Sequence, residues 1–127
     1  MKREIRLLYV DDDEPLRGLV EKQLHDEDFS IDTADDGDSA LEILGKSSYD
    51  VVILDIRMPG GSGLDVLEKF RRAAWAPKVI VFTNYAFTQY RKKCLEIGAS
   101  FFFDKSTEFD QLPQALEQLR LNLAASG

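Results

Sequence analysis

Side chains that suit phosphoryl chemistry follow four apolar segments of the chain. Asp11 and Asp12 come directly after LLYV, and Asp55 comes after VVIL. Thr83 follows VIVF, and Lys105 follows FFFD. Two carboxylates about 4 Å apart repel by roughly 1 kcal/mol in water and by about 4 kcal/mol at an effective dielectric of 20. A group of acids brought together by folding therefore requires a cation beside it.

These residue types indicate a magnesium-dependent phosphoryl site. Mg²⁺ binds proteins through one or two carboxylates, and its remaining positions take waters and phosphate oxygens. A carboxylate held beside such an ion can attack phosphorus as a nucleophile. The ion and a lysine can then neutralise the charge of the transferring group. Asp55 is the best candidate nucleophile because it follows a fully apolar segment and precedes the loop IRMPGGSG.

Five short apolar segments are predicted to be the strands that position these side chains. The last three are apolar throughout and consist mostly of β-branched or aromatic residues, which is typical of strands covered on both faces. The second, FSIDTA, alternates apolar and polar residues, and this alternation predicts an edge strand. The predicted strands span residues 5–10, 29–34, 51–54, 79–82 and 101–103.

Helical patterns lie between and after these segments, with apolar residues recurring at three- and four-residue spacing. Pro15 suits the first turn of the first helix, and the acids Asp13 and Glu14 suit its capping. Gly98 predicts the end of the fourth helix, and Thr107 resembles the N-terminal cap of the fifth. The apolar positions of the five helices are Leu16, Leu19, Val20 and Leu24; Ala40, Leu41 and Leu44; Leu64, Leu67 and Phe70; Tyr90, Cys94 and Ile97; and Leu112, Leu116, Leu119 and Leu123.

The alternation of strands and helices predicts an α/β fold. We expect a doubly wound, parallel, five-stranded sheet made of five βα units, with helices on both of its faces. In such a sheet ligands bind beyond the carboxyl ends of the strands. The side chains that follow the apolar segments should therefore meet at one edge. Residues 1–123 are expected to form a single domain, and residues 124–127 a frayed tail.

The overall composition argues against several classes of protein. The chain has 127 residues and a net charge of −7, and this acidic balance argues against direct nucleic-acid binding by the domain. Cys94 is the only cysteine, which excludes an intrachain disulfide and predicts a buried apolar role. The sequence shows neither an apolar run of membrane-spanning length nor a signal-peptide pattern. A cytoplasmic protein without membrane association is therefore expected.

Four segments together resemble a known family. LLYVDDDEPLR, VVILDIRMPGGSGLDVL, VIVFTN and GASFFFDKS occur in the order found in the receiver domain of bacterial two-component response regulators. The resemblance extends over essentially the whole chain. It implies the flavodoxin-like strand order 2-1-3-4-5, which the sequence pattern alone does not specify.

The resemblance implies that Asp55 accepts a phosphoryl group from a histidine of a partner kinase or histidine phosphotransfer protein. Asp12 and Asp55 would bind Mg²⁺ directly, with the backbone carbonyl of Arg57 as a further ligand, and Asp11 would act through a water. Lys105 would pair with Asp55 before phosphorylation and with the phosphoryl group afterwards. Apart from its own phosphorylation and dephosphorylation, the domain is not expected to be an enzyme.

The resemblance also implies a conformational switch. Thr83 would move to contact a phosphoryl oxygen, and Phe102, at the position of the family's switch aromatic, would turn inward. The fourth helix, the fifth strand and the fifth helix would then present an altered face to a downstream protein that the sequence does not identify. Dimerisation on phosphorylation is compatible with this mechanism.

Ser106 and Asn84 are among the departures from the family pattern, and both lie next to candidate site residues. Ser106 stands where the family usually has proline after a cis bond, and a cis bond before a non-proline residue costs about 2.5–4 kcal/mol. The Lys105–Ser106 bond is therefore expected to be trans, or else the loop is strained. Asn84 follows Thr83 where a small residue is usual, and it would either narrow the phosphoryl site or hydrogen-bond within it.

Two other functions remain open from the sequence. A phosphorylation-independent interaction module with the same fold would leave the pocket unused, and Asn84 and Ser106 are compatible with that alternative. A hydrolase that uses an aspartyl phosphate would need a second acid two residues after Asp55, where Arg57 stands.

The segment TNYAFTQYRKK is aromatic and basic. Its aromatic residues, such as Tyr85 and Tyr90, would form either a partner surface or half-buried helix positions. Its basic residues, Arg91, Lys92 and Lys93, are interpreted as a solvated helix face.

Overall fold

The computed structural model describes residues 4–24, 29–58, 61–72, 77–84 and 86–126. The sequence interpretation of Tyr85, as part of a partner surface or a half-buried helix position, lies outside these residues. Within the described ranges, each helix is too short or too polar to cross a membrane.

Five parallel strands form the central sheet: β1 (Ile5–Val10), β2 (Phe29–Ala34), β3 (Val51–Leu54), β4 (Lys78–Thr83) and β5 (Phe101–Asp104). Their spatial order is β2-β1-β3-β4-β5. This confirms the predicted doubly wound α/β fold and the order that the resemblance implies. The alternating strand β2 lies at an edge, as predicted. β4 and β5 are slightly longer than predicted, because Lys78, Thr83 and Asp104 join the ladder.

Five helices connect and follow the strands: α1 (Glu14–Gln23), α2 (Gly37–Lys46), α3 (Gly63–Arg71), α4 (Thr88–Ile97) and α5 (Leu112–Ser126). Asp13 caps α1 by accepting a 3.1 Å hydrogen bond from the Leu16 amide, and Glu14 lies in the first turn. The predicted cap at Asp13 is thereby confirmed, and Glu14 lies at the helix N-terminus, where an acid is favoured. α4 ends at Gly98, whose φ of 125° lies in the left-handed region that favours glycine.

Successive strand residues point to opposite faces of the sheet and build two separate cores. Leu8 and Leu54 face α2, α3 and α4, where Cys94 is among the buried helix residues, as predicted. Leu7 and Tyr9 face the other side, which α1 and α5 cover. Coverage on both sides explains why the central strands are continuously apolar instead of alternating.

The start of α5 differs from the prediction. Thr107 does not cap this helix, because the chain first forms a 3-10 turn over Phe109–Gln111, and α5 begins at Leu112. The amide of Glu108 donates to the Asp104 carbonyl at 2.8 Å, so a local turn occupies the position assigned to the cap. At its other end the helix extends to Ser126, and the fraying expected for residues 124–127 stays a prediction. The alanines in this segment have the highest helix propensity of any residue.

The segment after β3 forms a small hairpin that leads directly into α3. Arg57–Met58 pairs antiparallel with Gly61–Ser62, and the Gly63 amide donates a 3.0 Å hydrogen bond to the Ile56 carbonyl. A Cβ atom at Gly63 would lie 2.3 Å from the Ile56 Cα. Glycine is therefore required here, because the start of α3 packs against the backbone of the residue that follows Asp55.

Candidate active site

The candidate site residues meet at one edge of the sheet because the backbone ladder continues one residue past several strand ends. The Asp11 amide donates to the last carbonyl of β2 at 3.0 Å, and the Asp55 amide donates to the last carbonyl of β1 at 3.1 Å. The Lys105 amide donates to the Thr83 carbonyl at 3.0 Å. The side chains therefore start from neighbouring positions although they are far apart in sequence.

Lys105 bridges two buried carboxylates. Its Nζ lies 2.6 Å from Asp11 Oδ2 and 2.8 Å from Asp55 Oδ2. The lysine side chain is only 4% exposed, and those of Asp11 and Asp55 are 1% and 8% exposed. Burial alone would lower the pKa of Lys105, but its hydrogen bonds to Asp11 and Asp55 outweigh burial and raise the pKa. The ammonium group thus stays charged and holds the two acids together.

Asp55 is held by donors on both carboxylate oxygens. Its Oδ1 accepts a 3.0 Å hydrogen bond from the Arg57 amide, and its Oδ2 accepts from Lys105. The side chain of Thr83, which is fully buried, also hydrogen-bonds to Asp55. Burial raises the pKa of Asp55 above its ordinary value, and the bonds from Lys105, Arg57 and Thr83 oppose that rise. The carboxylate is fixed in orientation and set in a low-dielectric site, as a nucleophile in a preorganised site would be.

The carboxylates of Asp11, Asp12 and Asp55 fit a hard divalent cation. One oxygen of each acid lies within 4.8 Å of the others, and Asp12 is exposed whereas the other two are buried. Octahedral Mg²⁺, with ligands at about 2.0–2.1 Å, separates opposite oxygens by about 4.2 Å. The spacing is therefore compatible with one divalent cation held among the three acids, and the division into direct and water-mediated ligands stays a prediction. The carbonyl of Arg57 as a further ligand stays a prediction, although the amide of Arg57 already contacts Asp55.

Serine at position 106, where the family usually has proline, is compatible with a Lys105 side chain that reaches both Asp11 and Asp55. Among the described residues there is no cis peptide bond, so the Lys105–Ser106 bond is trans. Ser106 donates from its amide and its hydroxyl to Asp104 Oδ1 at 2.8 and 2.6 Å, and these bonds form a compact turn after β5. Asn84 is exposed, whereas the preceding Thr83 is fully buried.

Tyr9 is a site residue that the sequence interpretation missed. Its phenol donates a 2.9 Å hydrogen bond to Asp11 Oδ2, and the residue is 1% exposed. In the sequence Tyr9 is part of an apolar strand segment, and this pattern indicates a core residue. A usable signal was present, because residues two apart on a strand point to the same face, and Asp11 follows Tyr9 by two.

Arg91 is a second residue whose role differs from the sequence interpretation. Its guanidinium donates to the Phe102 carbonyl at 3.0 Å, ion-pairs with Glu108 Oε1 at 3.2 Å, and lies 4.9 Å from the centre of the Phe102 ring. The expectation of a purely solvated Arg91 is therefore wrong, although the two lysines that follow it are exposed. Phe102 is 3% exposed and faces inward. Its part in a switch stays a prediction.

Comparison with known proteins gives a consistent match over most of the chain. A model of the response regulator receiver domain family matches residues 7–117. The transcriptional regulatory protein DltR of Streptococcus agalactiae is 35% identical over 122 residues, which cover 96% of this chain and 53% of that protein. The chain therefore spans about half the length of this relative.

Solved structures with the same fold include one that contains Mg²⁺-BeF. The response regulator protein TrrA of Thermotoga maritima, solved in complex with Mg²⁺-BeF, is 37% identical, with a TM-score of 0.79 over 91% of this chain and 98% of that one. A CheY-like receiver domain protein of Methanospirillum hungatei has a TM-score of 0.88 over 98% of this chain and 99% of that one. At 22% identity, this second likeness concerns the fold alone.

Proposed function

The chain belongs to the response regulator receiver domain family, and on that premise we propose that Asp55 accepts a phosphoryl group from a histidine kinase or a histidine phosphotransfer protein. The single observation that carries the proposal is the bridge from Lys105 Nζ to Asp55 Oδ2 and Asp11 Oδ2, at 2.8 and 2.6 Å, beside Asp12 and Thr83. It combines an oriented carboxylate, a buried cation and a metal-binding acid set at one edge of the sheet.

The chemical step transfers phosphorus from nitrogen to oxygen. A carboxylate oxygen of Asp55 forms a bond to phosphorus as the bond from phosphorus to the donor imidazole nitrogen breaks, and that nitrogen keeps the electron pair. After transfer the negative charge lies on the phosphoryl oxygens, and the Lys105 ammonium pairs with them instead of with the Asp55 carboxylate. The Thr83 hydroxyl, which bonds to Asp55 before transfer, donates to a phosphoryl oxygen afterwards.

Asp12 and Asp55, together with the Arg57 carbonyl, would hold Mg²⁺ directly, and Asp11 would hold it through a water. The bound ion would supply charge neutralisation at the transferring phosphoryl group. The spacing of the three carboxylates and the resemblance to TrrA, which was solved with Mg²⁺-BeF, support this assignment. Self-phosphorylation and self-dephosphorylation are the only catalysis that we assign to the domain.

Phosphorylation would act on the face formed by α4, β5 and α5. Movement of Thr83 toward the phosphoryl group would alter the packing of Phe102, which β5 contributes to the core beside α4. The face would then bind a downstream protein or a second copy of the chain. We assign no direct nucleic-acid contact to this domain, because its net charge is −7, and we place its action in the cytoplasm.

The proposal is tested by intact-mass spectrometry after incubation with phosphoramidate or acetyl phosphate and Mg²⁺. We expect the wild type to gain one phosphoryl group, which chelation of the metal prevents. Asp55→Asn should gain none, because an amide oxygen is a poor nucleophile. Asp50→Asn provides a matched control, because Asp50 immediately precedes β3 whereas Asp55 immediately follows it.

Two outcomes separate the proposal from its alternative. An unchanged mass for the wild type, in a folded sample, contradicts phosphoacceptor function and favours a phosphorylation-independent interaction module. Once a partner is known, that module also requires the same partner affinity for the wild type and Asp55→Asn.

A further inference from the structure

We propose that Tyr9 is a positioning residue for Asp11, and that its phenol holds this carboxylate in the orientation that Mg²⁺ binding requires. The inference rests on the proposed function. It adds to the site a side chain that comes from the strand interior.

The orientation of Asp11 is set by three donors. Tyr9 and Lys105 donate to Oδ2 at 2.9 and 2.6 Å, and the Asp13 amide donates to Oδ1 at 3.0 Å. An ionised carboxylate offers about four acceptor positions. These bonds therefore leave about one position for a water or a metal.

Tyr9 itself is rigidly placed. It is 1% exposed and packs in the core that α1 and α5 cover, with Leu7 and Ile53 among its neighbours in that cluster. A close-packed ring can move its hydroxyl very little. Burial and the neighbouring Asp11 raise the pKa of the Tyr9 phenol above its ordinary value, so it is protonated at neutral pH and remains a donor there.

The phenol matters before transfer, because Lys105 is then shared between Asp11 and Asp55, and it matters most once Lys105 leaves Asp11. In the proposed reaction Lys105 moves to the phosphoryl group, and Asp11 then keeps only Tyr9 on Oδ2 and the Asp13 amide on Oδ1. Those two bonds act on different oxygens and fix the plane of the carboxylate. Without the phenol, one backbone bond would remain, and the carboxylate could rotate about its Cβ–Cγ bond.

The competing explanation is that the hydrogen bond merely satisfies a buried hydroxyl. A buried phenol needs a partner in any case, because an unpaired buried donor is costly. The two explanations differ in what they predict for metal affinity. A purely structural bond contributes to folding stability and leaves the affinity for Mg²⁺ unchanged, whereas a positioning bond contributes to both.

The test measures Mg²⁺ binding to the unphosphorylated protein by isothermal titration calorimetry. Groups that hydrogen-bond metal ligands typically contribute 10- to 100-fold in metal affinity. We expect Tyr9→Phe to weaken Mg²⁺ binding about tenfold, at the lower end of that range because Asp11 is assigned contact through a water.

Tyr49→Phe is the matched control. Tyr49 is also buried, and its phenol donates to a carboxylate, Asp32 Oδ2, at 2.6 Å. It follows α2 and precedes β3, at the opposite end of the sheet from Asp55. Both variants lose one hydrogen bond from a phenol to a carboxylate, which is buried at Tyr9 and partly buried at Tyr49, and urea unfolding without metal shows how much stability each loses. Only Tyr9→Phe should lose affinity for Mg²⁺.

The outcomes distinguish this inference from the proposed function. If Tyr9→Phe is folded and binds Mg²⁺ as the wild type does, or more tightly, Tyr9 is structural and the inference is wrong. An equal loss of affinity in Tyr49→Phe also contradicts it, because the effect would then follow from stability. If the wild type itself binds no Mg²⁺, the proposed function is contradicted, and the role of Tyr9 that rests on it is contradicted with it.

Discussion

Lys105 is the residue on which the charge balance of the acidic cluster depends. Its ammonium pairs with both Asp11 and Asp55 and offsets one of their two negative charges, in a site from which water is nearly excluded. Removing one member of a buried ion pair typically costs about 3–5 kcal/mol, because the remaining charge is left unpaired. The resting protein therefore uses Lys105 for stability, and the phosphorylated protein would use it for the phosphoryl group.

We predict that Lys105→Met lowers the free energy of unfolding by about 3 kcal/mol at neutral pH without metal. The deficit should shrink as the pH falls. Burial already raises the pKa of Asp55, and loss of Lys105 raises it further because the lysine opposes that shift. A carboxyl group whose folded pKa lies above its unfolded pKa contributes stability below the unfolded pKa, and this contribution is lost as the pH rises through the folded value.

Urea unfolding of Lys105→Met and the wild type, in EDTA from pH 7 down to about pH 4, checks this prediction. Lys46→Met is the control, because Lys46 pairs with Glu42 across an exposed helix face and should cost less than about 0.5 kcal/mol. A deficit for Lys105→Met that grows toward acidic pH contradicts the assigned charge balance.

At the scale of elements, β5 is an edge strand whose open side is covered by two side chains. Arg91 of α4 donates to the Phe102 carbonyl at 3.0 Å, and Glu108 accepts from the Asp104 amide at 3.0 Å. The two side chains also pair with each other at 3.2 Å. Open edges can pair with other chains, so this ion pair blocks the edge while it holds Arg91 over the Phe102 ring.

We predict that Arg91→Ala lowers the free energy of unfolding by about 1–2 kcal/mol, through loss of the cation–π contact and of the hydrogen bonds of a partly exposed guanidinium. It should also speed hydrogen exchange at the Asp104 amide, because Glu108 loses the group that holds it in place. Urea unfolding and NMR exchange measure the two effects.

Lys92→Ala, at the next and exposed position of α4, should change stability by less than about 0.5 kcal/mol and leave the Asp104 exchange rate unchanged. If Arg91→Ala behaves like Lys92→Ala in both measurements, the Arg91–Glu108 ion pair does not protect the open edge of β5.

At the scale of the whole molecule, the sheet order places acids from two strands beside each other. β1 and β3 are neighbours, and Asp11, Asp12 and Asp55 follow them. Oxygens of the three carboxylates lie within 4.8 Å of one another in a chain whose net charge is −7, so folding brings repelling charges together at this edge. A divalent cation that binds only the folded chain relieves this repulsion.

We predict that Mg²⁺ raises the thermal stability of the wild type, by about 2.7 kcal/mol at a concentration 100 times its dissociation constant. Asp12→Asn should lose most of this stabilisation, because the exposed acid is the one that remains free of Lys105. NaCl at equal ionic strength separates site binding from charge screening. Equal stabilisation by NaCl and Mg²⁺ contradicts a specific site.

The sequence by itself determined the strand segments, the fold class and the positions of the acids, the threonine and the lysine at strand ends. It did so because strand burial and helix periodicity leave a local pattern, and because parallel strands must end at a common edge. Asp13 as a helix cap and Gly98 as a helix end are equally local features, and both were predictable.

Only the tertiary structure decided which side chains complete the site. Lys105 reaches Asp11 as well as Asp55, Tyr9 supports Asp11, and Arg91 covers Phe102. The start of α5 after a 3-10 turn also had no local signal that could outweigh the cap-like Thr107. Most of these contacts join residues distant in sequence, and all of them depend on side-chain directions that packing selects, so neither periodicity nor residue type could specify them.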